Sequence, residues 1–264
     1  MKPFVFAFAF ALAGVAPAAA DDHASAWARA SLAQARLVAG APGEAAVEVR
    51  LAPGAITYWR NPGDSGAPPS FDFAGSQNLA RAEPRFPAPT RIAEPDGSEA
   101  FGYQGAVVFP IAVAAADSSR PVALKLKLDY AVCEKLCLPA KAELSLTLPQ
   151  AGASPYADEI AAATAQVPRA VDAGAFGGAL QPAGADAWRF CAPAEPGPSR
   201  DLFVEAPSGW WIATKPAAAS DGRACFALEL QQKPDDAKLP VAIRATLTGG
   251  AAAREFPLAL ARQP

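Results

Sequence analysis

The sequence is poor in histidine and methionine, with one of each among 264 residues. The histidine, His23, lies close to the N-terminus, where chains are commonly frayed. A Ser–His–Asp or Cys–His mechanism needs a histidine that the fold holds in place. The methionine is Met1, so the chain lacks the thioether ligands typical of a copper carrier. Both scarcities argue against histidine-based catalysis and methionine-based copper binding.

Residue patterns for metals, nucleotides and nucleic acids are also missing. A zinc site would have to use all four cysteines, but Cys133 and Cys137 are far from Cys191 and Cys225, unlike paired C-x-x-C knuckles. No glycine-rich phosphate loop stands between a strand and a helix. The 23 Lys and Arg against 26 Asp and Glu give a mildly acidic chain, which disfavours nucleic acid. We expect no metal, no small-molecule cofactor and no nucleic-acid partner.

A long apolar run occurs only at the N-terminus. Lys2 is followed by an apolar segment from Phe4 to Val15 and then by the small residues 16–20. This pattern predicts a cleaved signal peptide over residues 1–20, because the run is too short for a spanning helix; the alternative is an uncleaved anchor. Removal of Lys2 with the signal leaves a net charge of −4. We expect a periplasmic protein secreted through this signal.

Most of the chain consists of short alternating segments separated by its 27 prolines and 20 glycines, a composition that favours antiparallel β-sandwiches. In the first half, strands are predicted at Ala33–Ala39, Ala45–Leu51, Thr57–Trp59, Ser70–Phe73, Leu79–Ala82, Val107–Val113, Val122–Val132 and Ala142–Leu148. In the second half, they are predicted at Ala187–Cys191, Leu202–Glu205, Trp210–Thr214, Ala224–Leu230, Val241–Thr248 and Glu255–Leu260. Several prolines in Glu83–Gly102 predict a loop or a disrupted edge there.

A single helical stretch divides the chain. Residues Tyr156–Gln166 are rich in alanine, with acidic residues in the first turn, Ser154 as the expected cap and Pro155 at the first helical position. The sequence therefore predicts an all-β protein with a first domain over residues 21–149, a linker helix over 150–167 and a smaller sandwich over 168–264.

Two cysteines flank a tight turn in the first domain. Apolar residues alternate with polar ones over Val122–Tyr130 and again over Glu143–Leu148, so Cys133 and Cys137 close a predicted hairpin. Fully extended, residues four apart would lie about 13 Å from each other, but a turn at residues 134–136 brings them within disulfide range. Constrained or exposed disulfides are the easily reduced ones. The pair is therefore predicted to be redox-active.

The other two cysteines suggest a different role. Cys191 ends one predicted strand and Cys225 begins another, in a domain expected to be secreted. We predict a structural disulfide that contributes roughly 3–4 kcal/mol in the chain-entropy model. A second redox pair is the alternative.

Three segments resemble the N-terminal periplasmic domain of DsbD- and ScsB-type thiol:disulfide interchange proteins. They are Thr57–Gly66 with Pro68-Pro69, Phe101-Gly102-Tyr103 and Leu128–Pro139, within a resemblance that spans about residues 30–149. The resemblance implies an immunoglobulin-like sandwich with a cysteine pair at one end, which passes electrons from a membrane partner to thioredoxin-fold disulfide isomerases or related thiol proteins. ScsB-type proteins also carry two sandwiches, so we expect two immunoglobulin-like antiparallel β-sandwich domains joined by a short helical linker.

The resemblance also assigns roles around the pair. It favours Cys137 as the cysteine that contacts the partner, and it makes Tyr58, Trp59 and Tyr130 candidates for aromatic shielding, with ordinary core packing as the alternative. Within the turn, Lys135 is expected to lower a thiol pKa and Glu134 to oppose that effect.

Three functions remain open at this point. The first is thiol:disulfide exchange through Cys133 and Cys137, with a separate membrane protein as electron donor because the sequence contains neither membrane segments nor a thioredoxin-like domain. The second is a binding or scaffold module with two structural disulfides. The third is a metal-handling accessory protein of the same fold.

Overall fold

The structure is a computed structural model that describes residues 22–94, 97–152 and 154–262. The predicted signal peptide lies outside these residues. Within the described ranges, no helix has the length and apolar character needed to cross a membrane.

The first half of the chain forms two antiparallel sheets that pack face to face. Its strands are β1 (Ala28–Arg29), β2 (Ala33–Ala39), β3 (Glu44–Leu51), β4 (Ile56–Gly63), β5 (Ser70–Asp72), β6 (Leu79–Pro84), β7 (Thr90–Ala93), β8 (Glu99–Gln104), β9 (Ala106–Ala115), β10 (Ala123–Cys133) and β11 (Cys137–Thr147). One sheet has the order β1-β2-β3-β9-β6, and the other has the order β11-β10-β4-β8-β7, with β5 paired to β10.

The second half forms a smaller sandwich. Its strands are β12 (Arg169–Ala170), β13 (Ala179–Pro182), β14 (Ala187–Pro193), β15 (Asp201–Glu205), β16 (Trp211–Ser220), β17 (Arg223–Gln232), β18 (Val241–Thr248) and β19 (Arg254–Leu260). The sheets have the orders β12-β19-β18-β15 and β13-β14-β17-β16. The predicted all-β fold of two sandwiches is confirmed; that each is an independent domain with the expected boundaries stays a prediction.

The hairpin of β10 and β11 positions the first cysteine pair. Its register runs from Ala123 opposite Thr147 to Cys133 opposite Cys137. Even-numbered residues of β10 from Leu124 to Val132 are buried between the sheets, while Lys125, Lys127 and Asp129 are exposed. A one-residue slip would turn this apolar set outward, so burial of one face fixes the register and with it the pairing of the two cysteines.

The prediction of a loop or a disrupted edge over residues 83–102 was wrong in part. This region contains β7 and β8, and β8 lies inside its sheet between β4 and β7. Residues Ala100, Phe101, Gly102 and Tyr103 are all buried. A strand buried on both faces shows no alternation of polar and apolar residues, so the period-2 signal was absent.

The helix α1 (Ala157–Ala165) lies on the first sandwich. Ile160 is 1% exposed and packs with Val38 and Ala46. Ser154 does not cap the helix as predicted; its hydroxyl accepts a hydrogen bond from the Tyr156 N–H at 3.0 Å and donates one to the Ala39 carbonyl. The segment between the sandwiches is therefore docked over at least one turn.

Candidate disulfide exchange site

The tip of the β10–β11 hairpin carries a disulfide. Cys133 and Cys137 are bonded, with their α-carbons 4.0 Å apart and three residues in the turn between them. The turn brings the cysteines together as the alternation in the sequence indicated. Because β10 alternates, Cys133 projects from the outer face of its sheet, opposite to the main core.

The two sulfurs differ in their surroundings. Cys133 is 4% exposed and belongs to a small outer cluster with Ile56, Tyr58 and Ala100. Cys137, at the start of the edge strand β11, is exposed. The pair therefore joins one exposed residue, Cys137, to one sheltered residue, Cys133.

Tyr58 is the aromatic residue that covers the pair. Its hydroxyl donates a hydrogen bond to Cys133 Sγ at 2.8 Å and lies 3.5 Å from Cys137 Sγ. Burial raises the pKa of Tyr58, a shift that a hydrogen bond with Ser65 partly opposes. The hydroxyl is therefore protonated at neutral pH and can donate to a sulfur.

Gly66 holds the ring of Tyr58 in place. A Cβ atom on Gly66 would come within 2.1 Å of Tyr58 Cζ, and its φ of +82° favours glycine. The loop therefore passes directly over the ring, and any side chain at residue 66 would displace it.

Trp59 and Tyr130 do not shield the sulfurs in the way the sequence suggested. Both side chains belong to the main core between the sheets, and Trp59 packs edge-on against Phe203 at 6.0 Å. Trp59 follows Tyr58 on the opposite face of β4, and Tyr130 lies on the inner face of β10, so strand alternation directs both rings away from Cys133. Tyr130 nevertheless helps to line a groove beside Cys137.

The turn and the start of β11 present an apolar surface. Glu134 and Lys135 are exposed. Leu136 and Leu138 are 75% and 39% exposed, the two large apolar side chains that stand out at the surface of the described residues. A groove of about 340 Å³ opens beside Cys137 and is lined by Gly66, Pro68, Tyr130, Leu138 and Pro139. Sequence reasoning missed this surface, although Leu136 in a tight turn was a visible signal.

The second pair is also bonded. Cys191 and Cys225 face each other on β14 and β17, with α-carbons 4.1 Å apart and a sequence separation of 34. Cys225 is 3% exposed. Among the described residues, no group of three or more His, Cys, Asp or Glu side chains is placed to hold a metal ion.

A sheltered and an exposed cysteine, joined at one end of an immunoglobulin-like sandwich, define a thiol:disulfide exchange module. Residues 27–149 match the family model described as thiol:disulfide interchange protein DsbD, N-terminal. The likeness of this segment to that family confirms the resemblance of the three segments in the sequence.

Comparison with solved structures extends the likeness to both sandwiches. The N-terminal periplasmic domain of ScsB from Proteus mirabilis aligns with a TM-score of 0.71 and 21% identity, over 92% of this chain and all of that chain. At this identity the likeness concerns the fold. A marsupial T cell receptor covers 90% of this chain at 9% identity, but its TM-score of 0.19 carries no argument. No curated protein gives a significant match.

Proposed function

We propose that this protein relays electrons in the periplasm from a membrane reductase to thioredoxin-fold partners through Cys133 and Cys137. The observation that carries the proposal is the asymmetry of the pair: Cys137 is exposed beside an apolar groove, while Cys133 is buried under the Tyr58 hydroxyl. The family match of residues 27–149 supports the activity, and the signal peptide predicted over residues 1–20 supports the compartment.

The geometry supports a defined order of bond changes. When a reductant thiolate attacks Cys137 Sγ, a mixed disulfide forms, the Cys133–Cys137 bond breaks and its electron pair goes to Cys133 Sγ. The Tyr58 hydroxyl, 2.8 Å from that sulfur, stabilises the thiolate that leaves. A second thiol of the reductant then attacks the reductant sulfur of this mixed disulfide, which oxidises the reductant to a disulfide and releases Cys137 as a thiolate. In the second half-reaction, the Cys137 thiolate attacks a partner disulfide. The Cys133 thiolate then attacks Cys137 Sγ, which restores the Cys133–Cys137 bond and releases the partner as a dithiol.

The surface around Cys137 has the character of a contact site for a protein partner. Leu136 and Leu138 are exposed next to the groove. Exposed apolar side chains close to a reactive group are typical of interaction sites. We propose that a periplasmic disulfide isomerase or related thiol protein binds here with its own cysteine over Cys137.

Trapping tests the assignment of roles. Reduced Cys133→Ser protein, mixed with a purified oxidised thioredoxin-fold disulfide isomerase, should accumulate a mixed disulfide, because Cys137 attacks and no thiol resolves the product. The matched Cys137→Ser protein should accumulate far less, because its remaining thiol is buried. Capture by the Cys137→Ser variant instead would reverse the roles.

The redox equilibrium of the wild-type pair separates exchange from scaffolding. A reduction potential near about −200 mV in glutathione buffer identifies a working couple, and one below about −300 mV identifies an inert staple. If neither serine variant captures the isomerase and the potential falls in the lower range, the protein is a scaffold.

A further inference from the structure

Strand β4 leaves its sheet immediately after Tyr58. It pairs with β8 up to Tyr58 opposite Gly102 and resumes at Gly63 opposite Ala100. Four residues, 59–62, therefore stand against a single residue of β8. Such a bulge leaves the extra residues outside the ladder and lets them turn towards another partner.

The apolar side of the bulge is held by the second sandwich. Phe203, on β15, is 1% exposed and lies within the core of the first sandwich. Its ring centroid is 6.0 Å from that of Trp59 and 4.9 Å from that of Phe101, both in edge-on geometry. Phe101 is the β8 residue opposite the bulge, so Phe203 contacts both strands where their pairing is broken.

The polar side of the bulge is held by the next two residues of β15. Asn61 Nδ2 donates to the Val204 carbonyl at 2.7 Å. Arg60 Nε and Nη2 donate to the carboxylate of Glu205 at 2.8–3.0 Å, and Arg60 also pairs with Glu255. Burial lowers the pKa of Arg60, but the hydrogen bond and charge of Glu205 outweigh it and raise this pKa above its ordinary value. Arg60 is therefore charged in the folded protein.

We propose that the segment Phe203–Glu205 is a positioning element for the redox site, which sets the Tyr58 hydroxyl against Cys133 by holding the bulge that follows Tyr58. The inference rests on the proposed redox role of the pair. It assigns the second sandwich a part in the chemistry of the first. The contacts of Phe203, Val204 and Glu205 are with the bulge and β8, so their effect on the sulfurs is indirect.

The physical reason is the directional character of the hydrogen bond. Tyr58 is covered on one side by Gly66 and is followed at once by the bulge, so the backbone beyond Tyr58 depends on Phe203, Val204 and Glu205 for its place. Hydrogen bonds weaken steeply when distance and angle depart from the optimum. A bulge released from β15 would loosen the contact at Cys133 Sγ, and the thiolate form would lose its donor.

The test measures the equilibrium constant for reduction of the Cys133–Cys137 disulfide by dithiothreitol, read by mass spectrometry of the peptide that contains both cysteines. Tyr58→Phe sets the reference, because it removes the donor outright; we expect a fall of about tenfold, which corresponds to about 30 mV. Phe203→Leu and Glu205→Gln should each lower the constant by about threefold or more. Asp186→Asn, which breaks an exposed ion pair with Arg262 on the second sandwich, is the control and should have no effect.

Combination of variants separates positioning from general destabilisation. Phe203→Leu with Tyr58→Phe should give no larger change than Tyr58→Phe alone, since both act through one hydroxyl. Three results would each overturn the proposal. They are full additivity of the Phe203→Leu and Tyr58→Phe effects on the equilibrium constant, an unchanged constant in both β15 variants, and an unchanged constant in Tyr58→Phe. The equilibrium constant for reduction by dithiothreitol can be measured whether or not the protein has a thioredoxin-fold partner. A failed trapping experiment would therefore contradict the proposed function without changing the result of this test.

Discussion

The two disulfides should differ in what they contribute to stability, and the difference follows from their loop lengths. Cys191 on β14 and Cys225 on β17 have a sequence separation of 34, whereas Cys133 and Cys137 have a sequence separation of 4. The perturbation is a pair of double replacements: Cys191→Ala with Cys225→Ala, and Cys133→Ser with Cys137→Ser. Serine is chosen at residue 133 because it keeps an acceptor for the Tyr58 hydroxyl.

The chain-entropy model supplies the magnitudes. A cross-link lowers the entropy of the unfolded chain by an amount that grows with the logarithm of the loop length. For a sequence separation of 34 residues the stabilisation is about 3.8 kcal/mol, and for a separation of four it is about 1.9 kcal/mol. Loss of the long loop should therefore cost about twice as much free energy of unfolding as loss of the short one.

Urea unfolding followed by circular dichroism and tryptophan fluorescence measures both values. With an m-value of about 2 kcal/mol/M, the Cys191/Cys225 replacement should lower the midpoint by about 2 M, and the Cys133/Cys137 replacement by about 1 M. Trp188, which is 2% exposed in the second core, reports on the sandwich that contains the longer loop. The Cys191/Cys225 variant should also retain the wild-type redox equilibrium at the first pair. Equal costs, or a larger cost at the short loop, would refute the assignment of Cys191–Cys225 as the structural staple.

Two further outcomes can be measured on the same protein. Limited proteolysis should first cut between Pro149 and Val171 and leave two folded fragments, and Ile160→Ala should speed this cut several-fold because Ile160 docks α1; a first cut elsewhere would contradict the division. Burial raises the pKa of Glu195, but hydrogen bonds from Arg200 and Arg254 outweigh it and lower the pKa to about 2 from 4.5. Because the pKa of Glu195 is lower in the folded state than in the unfolded state, the ionised carboxylate stabilises the fold above pH 4.5. This stabilisation is lost as the pH falls towards about 2. The Glu195→Gln variant should therefore have a lower urea midpoint than wild type at pH 7, and the two midpoints should converge near pH 2. A difference in midpoint that stays constant with pH would show that the ionisation of Glu195 is not its cause.

Local alternation was enough to predict the hairpin that carries Cys133 and Cys137. Strands β10 and β11 each bury one face and expose the other, so their period-2 pattern and the turn between them were visible in sequence. Strand β8 was missed because residues 100–103 are buried on both faces, and a strand of this kind has no alternating pattern to recognise.

The aromatic residues show where local reasoning ends. Alternation places Tyr58 and Trp59 on opposite faces of β4, but it does not say which face lies over the cysteines. That depends on the register of Cys133 opposite Ile56 and on the packing of Phe203, a residue more than 140 positions away from Trp59 in sequence. The asymmetry between Cys133 and Cys137 likewise follows from β4 covering one end of β10, which is a tertiary contact.

Phe203 belongs to one sandwich by strand pairing and to the other by packing, so a boundary drawn in the sequence does not coincide with the boundary of the core. A fragment that ends at residue 149 would keep both Cys133 and Cys137 but would uncover Trp59 and Phe101 where Phe203 now lies. An uncovered aromatic surface of this kind promotes self-association. A single-sandwich fragment therefore needs a strand equivalent to 201–205, supplied in trans, to cover these two rings.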